Sequence, residues 1–246
     1  MIRAFIYWVF GALLTFFLSI TAIVVYTFNR KNSDFPHKIS RIWSKIILKL
    51  FCGSKLVVKG YENIDNSKSY IIVSNHRSLT DIFVASAAIP LQFRWLAKKS
   101  LFRLPLIGYG MKIAGYIPVE RERAIHAARS LDEIKKRLED GKSIWIFPEG
   151  TRTPKEKLGK FKRGAFVLAK DTGVPFLPVV LVNTDKIFEK PLKIKPVTIY
   201  VHILKPEKFD EYLKKYGDER TALDMMSKGV KEKIQKIYDE YVTKIE

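Results

Sequence analysis

One cysteine, Cys52, is all that the 246 residues hold, so no internal disulfide is possible. A lone thiol suits a reducing compartment. Glutamine is scarce too: Gln92 and Gln235 stand amid abundant Lys and Glu, the balance of heat-adapted chains. The four histidines, His37, His76, His126 and His202, are too scattered for H-E-x-x-H or H-x-H, so no metal-site signature is present. The G-x-S-x-G nucleophile elbow is also missing, which removes the usual hydrolase route. No zinc-finger spacing or recognition-module signature occurs, so nucleic acid is not the expected partner. Charge itself is absent from residues 4–28, and proline with it.

That uncharged stretch of 25 residues would extend roughly 37 Å as a helix, enough to cross a ~30 Å hydrocarbon core with some tilt. It ends in Asn29-Arg30-Lys31 rather than a small-x-small exit, so the reading is a retained membrane helix, not a cleaved signal peptide. Basic residues follow it (Arg30, Lys31, Lys38, Arg41) against Arg3 alone before it, which puts the main domain on the cytoplasmic face. Residues 39–51 repeat apolar side chains at helical spacing, with Arg41, Lys45 and Lys49 on another face. Such a basic amphipathic helix either lies in a membrane interface or packs on the protein's own core. The first two segments could also form a hairpin that dips into one leaflet. The net charge of +19, from 44 Lys+Arg against 25 Asp+Glu, favours anionic partners, here acidic phospholipid or phosphorylated small molecules.

From residue 53 onward apolar runs alternate with amphipathic stretches. Residues 55–59, 70–73, 93–97, 117–119, 143–147, 176–182 and 197–204 read as strands. Residues 80–88, 106–114, 122–139, 164–171, 207–215 and 219–245 read as helices, with Gly141 capping the third of these. Strand–helix alternation predicts an α/β fold with a mostly parallel sheet flanked by helices. The organisation expected is a membrane-associated helical segment, 1–52, followed by an α/β domain, 53–246.

Two stretches carry chemistry. In "SNHRSLTD", residues 74–81, His76 lies in the turn at the end of a strand, where ligand and catalytic groups of open α/β sheets collect. Ser78 and Asp81 have the S-x-x-D spacing of a capping box, which would place Ser78 at the N-cap and Asp81 at the third helical position. Asp81 one turn into the helix could equally orient the imidazole and raise its basicity. A base with no enzyme nucleophile suits direct transfer to a substrate alcohol. In "FPEGTR", residues 147–152, Gly150 frees the backbone for close approach and Arg152 offers a fork that matches phosphate oxygens. "AGYIPVERER" places Arg121 beyond a short strand, and "FKRGAFVLA" adds Lys162 and Arg163 at a helix entry. Three basic runs at strand exits converge with His76 and Asp81 on one rim of the sheet. "GKS", residues 141–143, is a helix end and not a nucleotide loop, because the glycine a Walker A needs is Lys136.

These stretches resemble, in order, the blocks of the glycerolipid acyltransferase family. Asn75-His76 with Asp81 five residues past the histidine is similar to its N-H-x-x-x-x-D motif, "GYIPVER" to its second block, Phe147 to Arg152 to its F-P-E-G-T-R block, and "VPFLPVVL" to its fourth. The departure is Pro118, where an aliphatic or aromatic residue is expected. The resemblance is strongest to members that acylate lysophosphatidic acid. It implies acyl transfer from acyl-CoA or acyl-carrier protein to the sn-2 hydroxyl, giving phosphatidic acid, with no metal or redox cofactor. It makes His76 the general base and Asp81 its orienting partner. It assigns the substrate phosphate to Arg121, Glu149, Gly150, Thr151 and Arg152, with Lys162 beside them, and the acyl-donor side to Pro178. A sister activity on glycerol-3-phosphate or another lysophospholipid shares the same blocks. A basic, membrane-anchored binding protein without catalysis is the reading from another class.

Overall fold

The computed structural model describes residues 2–29, 34–119, 128–153, 157–190 and 193–243. Helix α1 (Ile2–Phe28) leads to α2 (Asp34–Ile46), which closes in a π turn, Ile47–Phe51. After β1 (Lys55–Lys59) the chain runs β2 (Ile71–Ser74), α3 (Asp81–Ala88), β3 (Phe93–Lys98), α4 (Ile107–Ile113) and β4 (Ile117–Val119). It continues through α5 (Ala128–Glu139), β5 (Ser143–Ile146), α6 (Gly164–Thr172) and β6 (Phe176–Val182). A short hairpin, β7 (Phe188–Lys190) with β8 (Lys193–Ile194), precedes β9 (Thr198–Ile203), α7 (Phe209–Tyr216) and α8 (Glu219–Thr243).

Seven strands form one sheet in the order β1-β9-β6-β2-β5-β3-β4. Every pairing is parallel except β6 with β9. The expected mostly parallel sheet is therefore present, with β1 and β9 running against the other five. Both faces are covered, so the central strands are apolar throughout rather than alternating. In β2, Ile71 and Val73 join the core under α5, α6 and α8, whereas Ile72 joins the core under α3 and the π turn. β4 is an edge strand, and there Pro118 removes no hydrogen bond that a neighbour needs.

The N-terminal pair is docked on the rest of the chain. Of the two readings of residues 39–51, packing on the protein's own core holds for one face of α2: His37, Ile39 and Ser44 are buried, while Ile42 stays exposed. Asp34 receives hydrogen bonds from Arg94 and Lys142, both at 2.6 Å. Burial alone would raise its carboxyl, but the two cations outweigh that and hold it below the ordinary range. His37 Nδ1 is 3.2 Å from the Tyr116 hydroxyl, and its ring packs edge-on to Phe93 at 4.6 Å. α1 lies against α2 through the Trp43 indole, which donates to Thr15 Oγ1 at 3.0 Å. Elsewhere on α1, Phe10, Leu13, Phe16 and Phe17 are exposed. By length and composition residues 9–28 could cross a membrane.

Helix ends follow the sequence closely. The helix over 122–139 is described only from Ala128, because residues 120–127 lie outside the described part, Arg121 among them. Gly141 sits at φ 75° and donates to Leu138 O, so the "GKS" stretch is a helix end. The hairpin β7–β8 was not expected, nor the π turn.

Candidate active site

Strand β2 ends in the middle of the sheet, and the chain turns out of it at Asn75 and His76 before α3 begins at Asp81. Asp81 is fully buried. Its Oδ2 accepts three hydrogen bonds, from His76 Nδ1 at 2.7 Å, Arg77 N at 2.7 Å and Ser78 N at 2.9 Å. A carboxylate only accepts, so Nδ1 carries a hydrogen, and in a neutral ring of that tautomer Nε2 holds the lone pair. The carboxylate thus fixes the tautomer and folds the loop around itself. This corrects the capping-box expectation: the N-cap is Thr80, Asp81 opens the helix, and Ser78 Oγ accepts from Thr80 N. Spacing alone could not separate the two, because an Asp three residues after Ser can take the Ser78 N–H in either arrangement.

Further contacts brace the loop. Asn75 pairs its amide with the backbone of Leu181, Nδ2 donating at 2.8 Å and Oδ1 accepting at 2.9 Å. Glu149, buried, accepts from His76 N and from Gly159 N, both at 2.8 Å. The Phe147 ring stacks on the imidazole with centroids 3.9 Å apart and planes 13° apart. The Thr80 hydroxyl donates to Thr184 O at 2.5 Å. Arg77 reaches Asp185 at 3.3 Å and lies over the ring of Tyr238, 4.8 Å away. Burial pushes the Tyr238 phenol up to about 12, so it meets the guanidinium as a neutral ring. Asn75 and Phe147 fall inside the quoted motifs, yet only the packing shows what they hold. Nothing in the sequence around Arg77 signals its two partners.

The predicted phosphate residues divide. Gly150, at φ 72°, lies under the Lys162 amine, which a Cβ there would approach to 3.1 Å. Lys162 N donates to Pro148 O, and Thr153 N donates to His76 O, so the 147–153 loop and Lys162 flank the imidazole turn. Thr151, Arg152 and Lys162 are exposed. Arg163 is instead engaged with Asp224 at 2.5 Å. Both oxygens of Glu149 take backbone N–H donors, from His76 and Gly159. Pro178 sits buried inside β6, paired with Val73, and does not line the apolar cavity described next. Arg121 lies outside the described residues.

That cavity, about 470 Å³, opens beside the 75–80 loop. Leu79 and Thr80 form one wall, Thr15 and Phe16 of α1 another, and Trp43, Phe51 and Ile107 complete it. Its lining is apolar apart from a few hydroxyls. Among the described residues, no group of three His, Cys, Asp or Glu side chains is placed to hold a metal ion.

Known proteins match much of the chain. A family model described as Acyltransferase matches residues 55–182. The chain is similar to 1-acyl-sn-glycerol-3-phosphate acyltransferase of Borreliella burgdorferi, 35% identical over 172 residues, covering 68% of each chain. It is also similar to the chloroplastic enzyme of that name, BAT2, of Brassica napus, 34% identical over 164 residues, covering 66% of this chain and 47% of that one. The chain thus spans about half the length of the chloroplast relatives it matches. In three dimensions it resembles the crystal structure of the 1-acyl-sn-glycerophosphate (LPA) acyltransferase PlsC from Thermotoga maritima, with a TM-score of 0.65, 26% identity, and coverage of 96% and 97%. A family model that matches just over half of the residues, together with a bacterial relative matched along two thirds of both chains, places this chain in the acyltransferase family.

Proposed function

We propose that this chain moves an acyl group from a thioester donor, acyl-CoA or acyl-carrier protein, to the sn-2 hydroxyl of lysophosphatidic acid, giving phosphatidic acid. The buried His76–Asp81 pair, 2.7 Å apart, is the observation that carries the reading. In it, Nε2 takes the acceptor's hydroxyl proton as the oxygen attacks the thioester carbonyl. The tetrahedral intermediate expels the thiolate, which takes the proton back from the imidazolium. Asp81 stabilises that imidazolium and returns the ring to its starting tautomer. An acyl-enzyme through Cys52 is disfavoured, since burial pushes its thiol up to about 11.

Substrate placement follows from the surroundings. Arg152 and Lys162, with Arg121, meet the acceptor phosphate, because exposed cations on a glycine turn suit an anion. Glu149 acts as a positioning residue for the His76 peptide and not as a phosphate contact. The apolar cavity takes an acyl chain, and α1 is one of its walls, so the N-terminal unit, residues 1–52, both anchors the 53–246 domain and completes its substrate compartment. The basic residues after α1 set the domain on the cytoplasmic face of an anionic membrane. The names of the relatives and the match to their family support lysophosphatidic acid as acceptor.

The test is an assay of the purified full-length protein with acyl-CoA, offering lysophosphatidic acid and glycerol-3-phosphate in parallel. Transfer to lysophosphatidic acid, lost in His76→Ala, is the expected result. Transfer only to glycerol-3-phosphate would assign the sister activity, and transfer to neither would leave a binding protein.

A further inference from the structure

Between β3 and β4 the chain makes a knob: a turn, Lys99–Arg103, followed by α4. Phe102 is its buried anchor. Around it Leu101, Leu104, Leu106, Ile107 and Tyr109 are 39%, 45%, 39%, 48% and 48% exposed. The backbone holds this outward display in place. Gly108 N donates to Leu104 O at 2.9 Å and Gly110 N to Leu106 O at 2.7 Å. Gly108 is packed so tightly on Phe102 that a Cβ would stand 2.4 Å from the Phe102 carbonyl oxygen. Leu106 is held at φ 56°, a conformation that costs a non-glycine residue about 1–3 kcal/mol. Five large apolar side chains clustered on a rigid projection form a surface built to be covered.

Charge and continuity say by what. Residues 82–119 contain no Asp or Glu, while Lys98, Arg103 and Lys112 are exposed around the knob. Leu106 and Ile107 share the apolar cavity with Phe16 of α1 and with Leu79 of the catalytic loop, and both of these are themselves exposed. α1, Leu79 of the His76 loop and the knob therefore border one apolar region, with cations exposed around the knob. A protein partner would need acids to meet them; an anionic lipid leaflet supplies both the charge and the apolar interior.

We propose that residues 101–109 insert into the interfacial layer of the anionic leaflet that α1 enters, as a second point of membrane contact. α4 lies directly against α1, so the knob widens the surface that α1 presents to the bilayer and brings the loop carrying Leu79 against it. The inference rests on α1 entering a bilayer, and it does not depend on which acceptor the enzyme uses.

The experiment uses the full chain with Leu104→Cys labelled by nitrobenzoxadiazole; Cys52 is buried and stays in place. Vesicles of phosphatidylglycerol and phosphatidylcholine carry a nitroxide lipid quencher, and Lys214→Cys on α7 is the control. At residue 104 the label should shift to the blue and be quenched, while the label at 214 behaves as in water. Phosphatidylcholine alone should give a weaker shift, and an equal one would sink the anionic-leaflet argument. A label at 104 that stays water-like on vesicles overturns insertion. So does a blue shift that appears without vesicles as protein concentration rises, because the knob would then bind a second copy. In parallel, Leu101→Gln, Leu104→Gln and Tyr109→Ser combined should raise the apparent KM for vesicle-borne lysophosphatidic acid about tenfold. The same variant should act normally on a short-chain soluble acceptor. A wild-type protein inactive on every acceptor would defeat the acyltransferase reading, yet the fluorescence would still report on insertion.

Discussion

Replacing Asp81 by Asn separates a charge from a shape. Oδ2 takes three donors, His76 Nδ1, Arg77 N and Ser78 N, so in the variant the amide oxygen must occupy that position; an NH2 there would face three N–H groups. The NH2 then falls where Oδ1 sits, buried and without a hydrogen-bond partner among the described residues. That site is unpaired in the wild type too, so the exchange adds little there, and the variant folds with a loss of stability that comes from its weaker bonds at Oδ2. The three bonds survive as neutral ones of about half the strength. The ground-state loop is therefore kept, while the imidazolium formed during transfer loses its counter-charge. Loss of a working base of this kind lowers kcat about 10²–10⁴-fold, equivalent to about 3–5 kcal/mol of barrier. The assay is thiol release from acyl-CoA at saturating lysophosphatidic acid, with unfolding followed in urea on the same sample. A kcat within a few-fold of wild type, with the stability loss present, would refute the dyad and leave Asp81 as a brace only. Asp81→Ala should be the less stable of the two, since it strips both loop N–H groups of their acceptor.

Arg152→Ala and Lys162→Ala should each raise KM for lysophosphatidic acid far more than for the acyl donor; equal rises would point to a structural role. Glu149→Gln should lower kcat with little change in KM for lysophosphatidic acid, because it loosens the His76 peptide and touches no phosphate; a selective KM rise would restore the ligand role. His37 ties stability to pH. Burial, reinforced by Arg94 and Arg41, pushes its imidazole down to about 3 from the ordinary 6.5, so the folded protein keeps it neutral. The unfolded chain binds the proton first, and stability falls as pH drops from about 6.5 towards 3. By pH 5 the loss from this group is about 2 kcal/mol. Urea unfolding at pH 7 and pH 5 should show that loss in wild type and not in His37→Phe, which keeps the ring contact with Phe93.

The parts of the fold legible in the sequence were those with local causes. Short apolar runs and helical stripes marked the sheet and its helices to within a few residues, and Gly141 marked the end of α5. β7 and β8 carry no such mark because Lys and Pro dominate residues 190–196 and break any apolar alternation. At the site, His76, Asp81 and Gly150 are brought to one rim of the sheet, as the four blocks implied. What remained hidden are the roles that depend on a distant partner. Glu149 reads as a ligand because a carboxylate beside Gly-Thr-Arg suggests one; the hydrogen bonds from His76 N and Gly159 N, on which we base its proposed positioning role, have no mark in the sequence. Pro178 reads as a substrate contact from its block, and its pairing with Val73 of β2 could not be read from the sequence.

The sheet order explains why blocks so far apart in sequence act together. β2 carries the His76 turn and lies between β6 and β5, so its exit is flanked by theirs. From β5 come Phe147, stacked on the imidazole, and Glu149, holding the His76 peptide. From β6 come Leu181, gripped by Asn75, and Thr184, which takes the Thr80 hydroxyl. Residues 75–80 have no helix or strand of their own, and a loop of that kind would normally sample many conformations. Here strand exits on both sides and Asp81 meet the loop's polar groups and hold it. A general base must be placed to within fractions of an ångström to be useful. On the mechanism we propose, the blocks divide the work of presenting one base. The first supplies the imidazole and its counter-charge, and the third and fourth hold the turn that carries it. That division predicts different failures, loss of charge slowing the chemical step and loss of a brace spreading the base over unproductive positions.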